Sequence, residues 1–398
     1  DDCIPSNKAS LKIVHNTRFG QRRLTLLSIL EMVKVEIETQ SLKKRSNMTK
    51  KTTLYGTPLS LYTGKARSYL IKAGINYEEL TPTSEHYAKT VLPQAGSRTV
   101  PIVETSEGIV IRDGTAIIDH FEAINGRQFS PSSPKQKVVS LLFDVIGAEG
   151  LLRPAMYYRW HFPEQNADFV RYHFESMIPA NLDKREMATK TMARMQEACK
   201  AFGGVSENFA LIEALYSDLL DKLDQHFSNS PYLLGGAPCI GDFGMVAPLY
   251  AHLGRDPAPL QLMQTKAPRL FRWVERMNRP EPDTGEFGDF KRDYFEGDHI
   301  PESLVDLLKQ LAEDFIPETR AAAVCINQWL QAQSDLTSQT PIQRGVGFGS
   351  FVVRDQTINA MAQPYRFFLL KRVQDAFASL SSEAKIQVKT LLERAGFA

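Results

Sequence analysis

Residues 97–125 carry the feature that most limits what this chain can fold into. Val100-Pro101 is followed at once by a short apolar run, Ile102-Val103. Ser106-Glu107-Gly108 supplies a turn and Ile109-Val110-Ile111 a second β-branched run, so the two runs read as a hairpin. Arg112-Asp113-Gly114 breaks the alternation. From Thr115 the period turns helical, with Ala116, Ile117, His120, Phe121 and Ile124 on one stripe. A proline ahead of a strand has no N–H to give to the ladder, and it pushes the preceding residue towards extended geometry. A cis link at this point leaves the N–H and C=O of Val100 free to pair with an extended peptide in a cleft. Asp113, at the mouth of the next helix, then stands where it can receive an ammonium group; the plainer role for it is a helix N-cap.

The domain opens with Thr53-Leu54-Tyr55-Gly56-Thr57-Pro58-Leu59-Ser60-Leu61-Tyr62 and continues as a helical pattern over 65–73, ended by Gly74. This strand, loop and helix resemble the opening of the soluble glutathione transferases. The Val100-Pro101 turn, the hairpin and Asp113-Gly114-Thr115-Ala116-Ile117 resemble the rest of that family's glutathione-binding domain. The resemblance covers residues 53–125, extends less closely over 138–280 and does not touch 1–50. It implies a thioredoxin-like α/β domain followed by an all-α glutathione-transferase domain. Five segments result: a leader over 1–51, disordered or partly helical; the glutathione-binding domain over 52–126; a linker over 127–137 punctuated by Pro131, Ser132, Ser133 and Pro134; an all-α domain over 138–280; and a mostly helical extension over 281–398. Within the leader, Met48 stands just before the transferase-like start and reads as an initiator.

Composition narrows the function classes. A net charge of +1 gives no electrostatic argument for nucleic acid or an anionic membrane. No apolar run approaches the roughly 20 residues of a membrane span. Cys3, Cys199, Cys239 and Cys325 lie far apart, with no C-x-x-C or Cys/His spacing, so neither a metal site nor a disulfide framework is expected, and a reducing compartment, the cytoplasm, fits. In the extension two helical stretches, roughly 301–314 and 317–334, precede a glycine-rich turn at 345–349 that leads through Phe351-Val352-Val353 into a helix near 363–377; Gly345, Gly347 and Gly349 lack the strand–turn–helix setting of a nucleotide fingerprint.

The chemistry the resemblance implies needs a thiolate. A free thiol titrates near about 8.5. A hydroxyl donating to the sulfur is worth about 1.5–3 kcal/mol, and a helix N-terminus adds about 0.3–1 kcal/mol. Ser60 sits where serine-type transferases keep that hydroxyl, and it is also a natural cap for the helix that follows. Tyr55, Tyr62 and Thr63 are rival donors. By the same resemblance Val100 and Pro101 place the cofactor's backbone and Asp113 its γ-glutamyl ammonium. Gly114 replaces the family's serine, which leaves Thr115 or the helix N-terminus to hold the γ-glutamyl carboxylate. Tyr157, Tyr158 and Trp160 are candidates for an electrophile pocket, against the plainer reading of an aromatic core stripe. Arg153 and Arg159 are candidates for the glycine carboxylate. In the segment 231–250 the family keeps a Ser or Thr cap with an Asp three residues on; here Cys239 holds the cap and Asp242 the acid, a structural motif. The function implied is conjugation of the thiol of glutathione, as co-substrate, to a small electrophile, in the family's detoxifying role, with a homodimer as the family's usual assembly. The alternative is a binding or scaffold protein of the same fold without turnover.

Overall fold

The computed structural model describes residues 51–283, 285–333, 336–337 and 342–397. The leader expected over 1–51 therefore lies, Lys51 apart, outside the described residues.

The chain begins with β1 (Thr52–Tyr55), crosses over through α1 (Leu61–Lys72), and returns as β2 (Tyr77–Leu80), parallel to β1. A π-helical turn, Tyr87–Val91, and a short helix α2 (Leu92–Ala95) lead to the expected hairpin, β3 (Ile102–Glu104) and β4 (Val110–Arg112), and to α3 (Gly114–Ile124). The sheet order is β2-β1-β3-β4, with β3 antiparallel to both β1 and β4. A parallel βαβ unit followed by an antiparallel ββα unit is the thioredoxin-like arrangement expected. The central strand β1 is buried throughout, which suits its unbroken run Thr-Thr-Leu-Tyr.

The helices that follow form the all-α region: α4 (Pro134–Val145), a π-helical turn Ile146–Gly150, α5 (Leu152–Trp160), α6 (Pro163–Ser176), α7 (Lys184–Ala201), α8 (Phe209–His226), α9 (Ile240–Ala251), α10 (Pro257–Lys266) and α11 (Pro268–Met277). One apolar cluster runs from Leu54, Tyr69 and Phe121 of the sheet layer into Phe143, Phe243 and Trp273 of the helices. Helix α1 lies between the two layers and is buried on nearly every side. Its polar residues are spent on that contact. Lys65 reaches Asp144 at 2.6 Å, Ser68 donates to the Met277 carbonyl at 2.7 Å, and Lys72 reaches Tyr232 at 2.8 Å and Glu281 at 2.5 Å.

Beyond residue 281 the structure departs from the sequence expectation in two ways. The two helical stretches read at 301–314 and 317–334 are one helix, α12 (Glu302–Gln331), which continues through Pro317. Packing along the helix outweighs the one backbone bond that proline removes. The segment read as a glycine-rich turn leading to a helix contains a hairpin, β5 (Phe348–Val353) and β6 (Gln356–Met361). Arg354 and Asp355 turn it with φ of 46° and 66°, a left-handed pair whose usual signature, Asn-Gly, is absent. Helices α13 (Pro364–Ala378) and α14 (Ser382–Arg394) close the chain.

Candidate functional site

The sheet register gathers the expected residues at one end. Tyr55 is opposite Ile102, and Ile102 is opposite Arg112. The chain leaving β1, the chain entering β3 and the chain leaving β4 therefore share one edge, and these are Gly56–Ser60, Val100-Pro101 and Asp113. The Val100-Pro101 bond is cis. The Asp113 N–H donates to the Pro101 carbonyl at 3.1 Å, while neither the N–H nor the C=O of Val100 has a partner among the described residues.

Ser60 is the N-cap of α1: its Oγ accepts from the Thr63 N–H at 3.2 Å. Capping uses a lone pair, so the Ser60 hydroxyl proton is still available to a sulfur beside it. The loop is fixed from behind. Arg159 donates to the Leu59 carbonyl at 3.0 Å and holds Asp256 through two bonds of 2.6 and 2.9 Å. It also donates to His252 Nε2 at 2.7 Å, so His252 gives its proton from Nδ1 to the Ala155 carbonyl and is neutral. Burial and the Arg159 charge hold the His252 pKa well below its ordinary value.

Of the rival hydroxyls, two donate to carboxylates and the third is buried. Tyr55 donates to Glu104 at 3.3 Å, packs on Tyr87, and is pushed up to about 12, chiefly by burial. Thr63 is buried against Gly56. Tyr62 donates to Glu149 Oε1 at 2.7 Å. The three cations of α1 are paired elsewhere: Lys65 is buried against Asp144, Arg67 pairs with Glu79 at 2.6 Å, and Lys72 pairs with Glu281.

At the end expected to receive a γ-glutamyl group, the side chains are engaged within the protein. Asp113 Oδ1 accepts from the N–H groups of Thr115 and Ala116 at 2.9 and 3.1 Å, so the plainer N-cap role is realised. A Cβ added at Gly114 would lie 3.3 Å from the Tyr62 carbonyl oxygen, a tight fit at the position where the family has serine. Thr115 does not supply the missing hydroxyl. Its Oγ1 is buried and already receives Lys65 Nζ at 2.8 Å and the Tyr365 hydroxyl at 3.3 Å.

Two further placements correct the sequence reading. Tyr157 and Tyr158 are core residues of the helices: Tyr157 donates to Glu213 at 2.6 Å, and Tyr158 stacks on Phe162. Trp160 is also buried, but it belongs to a separate cluster with Leu59 and Leu61, next to Ser60. A cavity of about 30 Å³ between α5, α8 and α12 is lined by Tyr216, Gln310 and Asp314 among others, and by none of those three aromatics. Arg153 and Arg159 are buried in ion pairs, Arg153 with Asp314 and Glu318, and neither is free for a carboxylate.

Sequence reasoning missed Glu149, Gln363 and Tyr365. Glu149 sits in the π-helical turn after α4, buried behind Tyr62. It accepts from Tyr62 and, at 3.0 Å, from Gln363 Nε2, and burial raises its pKa above the usual carboxylate range. Partners 87 and 214 residues away leave no local pattern, so no signal in the sequence pointed to it.

The class is now defined: a thioredoxin-like domain with a cis-proline ahead of its third strand, joined to an all-α domain. Residues 54–129 match the family described as glutathione S-transferase, N-terminal domain. That match identifies residues 54–129 as a glutathione S-transferase N-terminal domain. No curated protein matches the chain. Among solved structures it is similar to a glutathione S-transferase from Rhodospirillum rubrum F11, with 15% identity, 64% of this chain and 99% of that one covered, and a TM-score of 0.37. It is also similar to Gtt2 from Saccharomyces cerevisiae (17%, 59% and 99%, TM-score 0.33) and to the glutathione transferase GSTFuA3 from Phanerochaete chrysosporium (13%, 57% and 96%, TM-score 0.41). No helix among the described residues is long and apolar enough to cross a membrane, and no group of three or more metal-ligating side chains is found among them.

Proposed function

We propose that this protein conjugates the thiol of reduced glutathione to an electrophilic small molecule. One observation carries the reading: the unpartnered main chain of Val100 lies at the same sheet edge as a serine hydroxyl on a helix N-terminus. The cysteinyl backbone pairs with Val100, and the Ser60 hydroxyl donates to the sulfur and favours its thiolate. Asp113, half-buried with Oδ2 not used in the cap, receives the ammonium. Trp160 lies in the apolar cluster nearest Ser60 and lines the electrophile's side. In this reading residues 52–126 form the glutathione-binding domain, 138–280 the all-α domain and 281–398 an extension. The protein works as a cytoplasmic homodimer.

A second reading, binding without turnover, is favoured by one observation: Gly114 and Thr115 are buried, with the extension's Tyr365 on Thr115. Calorimetry with reduced glutathione and a conjugation assay separate the two. Ser60→Ala is expected to lower kcat/KM at neutral pH by roughly 10–100-fold, the equivalent of one to two pKa units on the thiol. Unchanged turnover would move the role to another hydroxyl. Failure to bind at millimolar glutathione would end both the transferase reading and any role for this tripeptide.

A further inference from the structure

The C-terminal extension enters the candidate site at one side chain. Tyr365, in the first turn of α13, places its hydroxyl on Thr115 Oγ1 at 3.3 Å, and its ring stands edge-on to Tyr62 at 6.5 Å, two residues from Ser60. Asp113 is close enough that, after burial, its charge is the next cause raising the phenol's pKa. Asp113 and Thr115, two of the expected partners of a γ-glutamyl head, therefore lie at the tip of this one ring.

The helix that carries Tyr365 is firmly held. Gln363 donates to Glu149 at 3.0 Å, Arg366 donates to the Glu149 carbonyl at 2.8 Å and pairs with Glu318 at 3.1 Å. Leu369 is buried in the main core, and Arg372 reaches Asp119 at 2.6 Å. The Tyr365 ring is different: only half-buried, it stacks at 5.7 Å on Phe368, which is itself exposed. Turning the side chain outward breaks the 3.3 Å hydrogen bond to Thr115, whereas moving the helix breaks the four polar contacts just named and uncovers core.

Resting on the reading above, we propose that Tyr365 is the specificity-determining residue of this site. Its ring occupies the γ-glutamyl end, so glutathione binds only with that side chain turned out, while a thiol peptide without the γ-glutamyl head binds with it in place. The head brings a carboxylate and an ammonium that must reach Gly114, Thr115 and Asp113. Cysteinylglycine needs only the Val100 main chain and Ser60.

Calorimetry on the full chain, with reduced glutathione and with cysteinylglycine, tests this in wild type, Tyr365→Ala and Tyr365→Phe, each checked for an intact melting transition. Tyr365→Ala is expected to bind glutathione about tenfold or more tighter than wild type and cysteinylglycine within about twofold of it. Tyr365→Phe keeps the ring and loses only the bond to Thr115, so its gain for glutathione is smaller, about threefold. Equal glutathione affinity in all three proteins overturns the proposal and leaves the transferase reading standing. Failure of every protein to bind either thiol overturns both. Should Tyr365→Ala not fold, the Tyr365→Phe result decides, and no gain there overturns the proposal.

Discussion

Ser60 performs a structural task that is independent of any chemistry. Because Oγ caps the Thr63 N–H, Ser60→Ala is expected to cost about 1 kcal/mol of stability whatever it does to turnover. A second single residue contributes to the response to acid. His226 is buried on the underside of α8, with Nε2 towards the Tyr232 carbonyl and Ser230, and Nδ1 towards Ser303. Burial lowers its pKa from 6.5 to about 4. The unfolded chain therefore takes up this proton first, and the stability owed to the neutral ring is lost as pH falls below the unfolded value. From pH 7 to pH 5 the loss is about 2 kcal/mol. Urea unfolding of wild type and His226→Gln at both pH values checks this: wild type is expected to lose about 2 kcal/mol more than the variant, and parallel losses would refute it. His252 is buried and neutral too, but it is present in both proteins and cancels.

Among the elements, α9 shows how a motif survives a substitution. Asp242 accepts from the N–H groups of Cys239 and Leu233 at 2.9 and 3.1 Å and from Trp273 Nε1 at 3.0 Å, all buried. The Cys239 thiol closes the capping box from the other side. Sulfur is a weak acceptor, so Cys239→Ser is expected to raise stability by about 0.5–1 kcal/mol. Asp242→Ala leaves three buried donors without an acceptor and is expected to cost about 3 kcal/mol or more. Denaturant midpoints measure both, and a neutral Asp242→Ala would show that the box contributes little. The capping box could be read from the spacing of Cys239 and Asp242, because both halves lie within one turn. The role of α1 could not. Its apolar and basic residues alternate at helical spacing, and in the structure Lys65, Ser68 and Lys72 are polar contacts between the two layers. Their partners are supplied from 79 to 209 residues away, as with Asp144 and Met277.

For the whole molecule, the extension is part of the core. The hairpin β5–β6 covers Leu215, while Leu369, Leu391 and Ala395 join the main cluster, and Val388 packs with Val138 of α4. Ending the chain at Ala332 is therefore expected to lower the melting temperature by about 10 °C or to leave the protein insoluble. A truncated protein that melts with the full chain would show the extension to be peripheral.

The local order of residues was enough to place the βαβ-ββα domain, the turn at Val100-Pro101, the cap at Ser60 and the helical character that follows, since turn chemistry, caps and apolar periodicity act over a few residues. It also brought Ser60, Val100 and Asp113 together, because strand pairing puts the ends of neighbouring strands side by side. Folding in three dimensions settled which side chains those positions actually meet: Thr115 beneath Tyr365, Tyr62 on Glu149, Arg159 behind Leu59, and Tyr157 and Tyr158 in the core. Each of those contacts joins residues far apart along the chain, and burial and charge pairing over such distances have no period that a sequence can display.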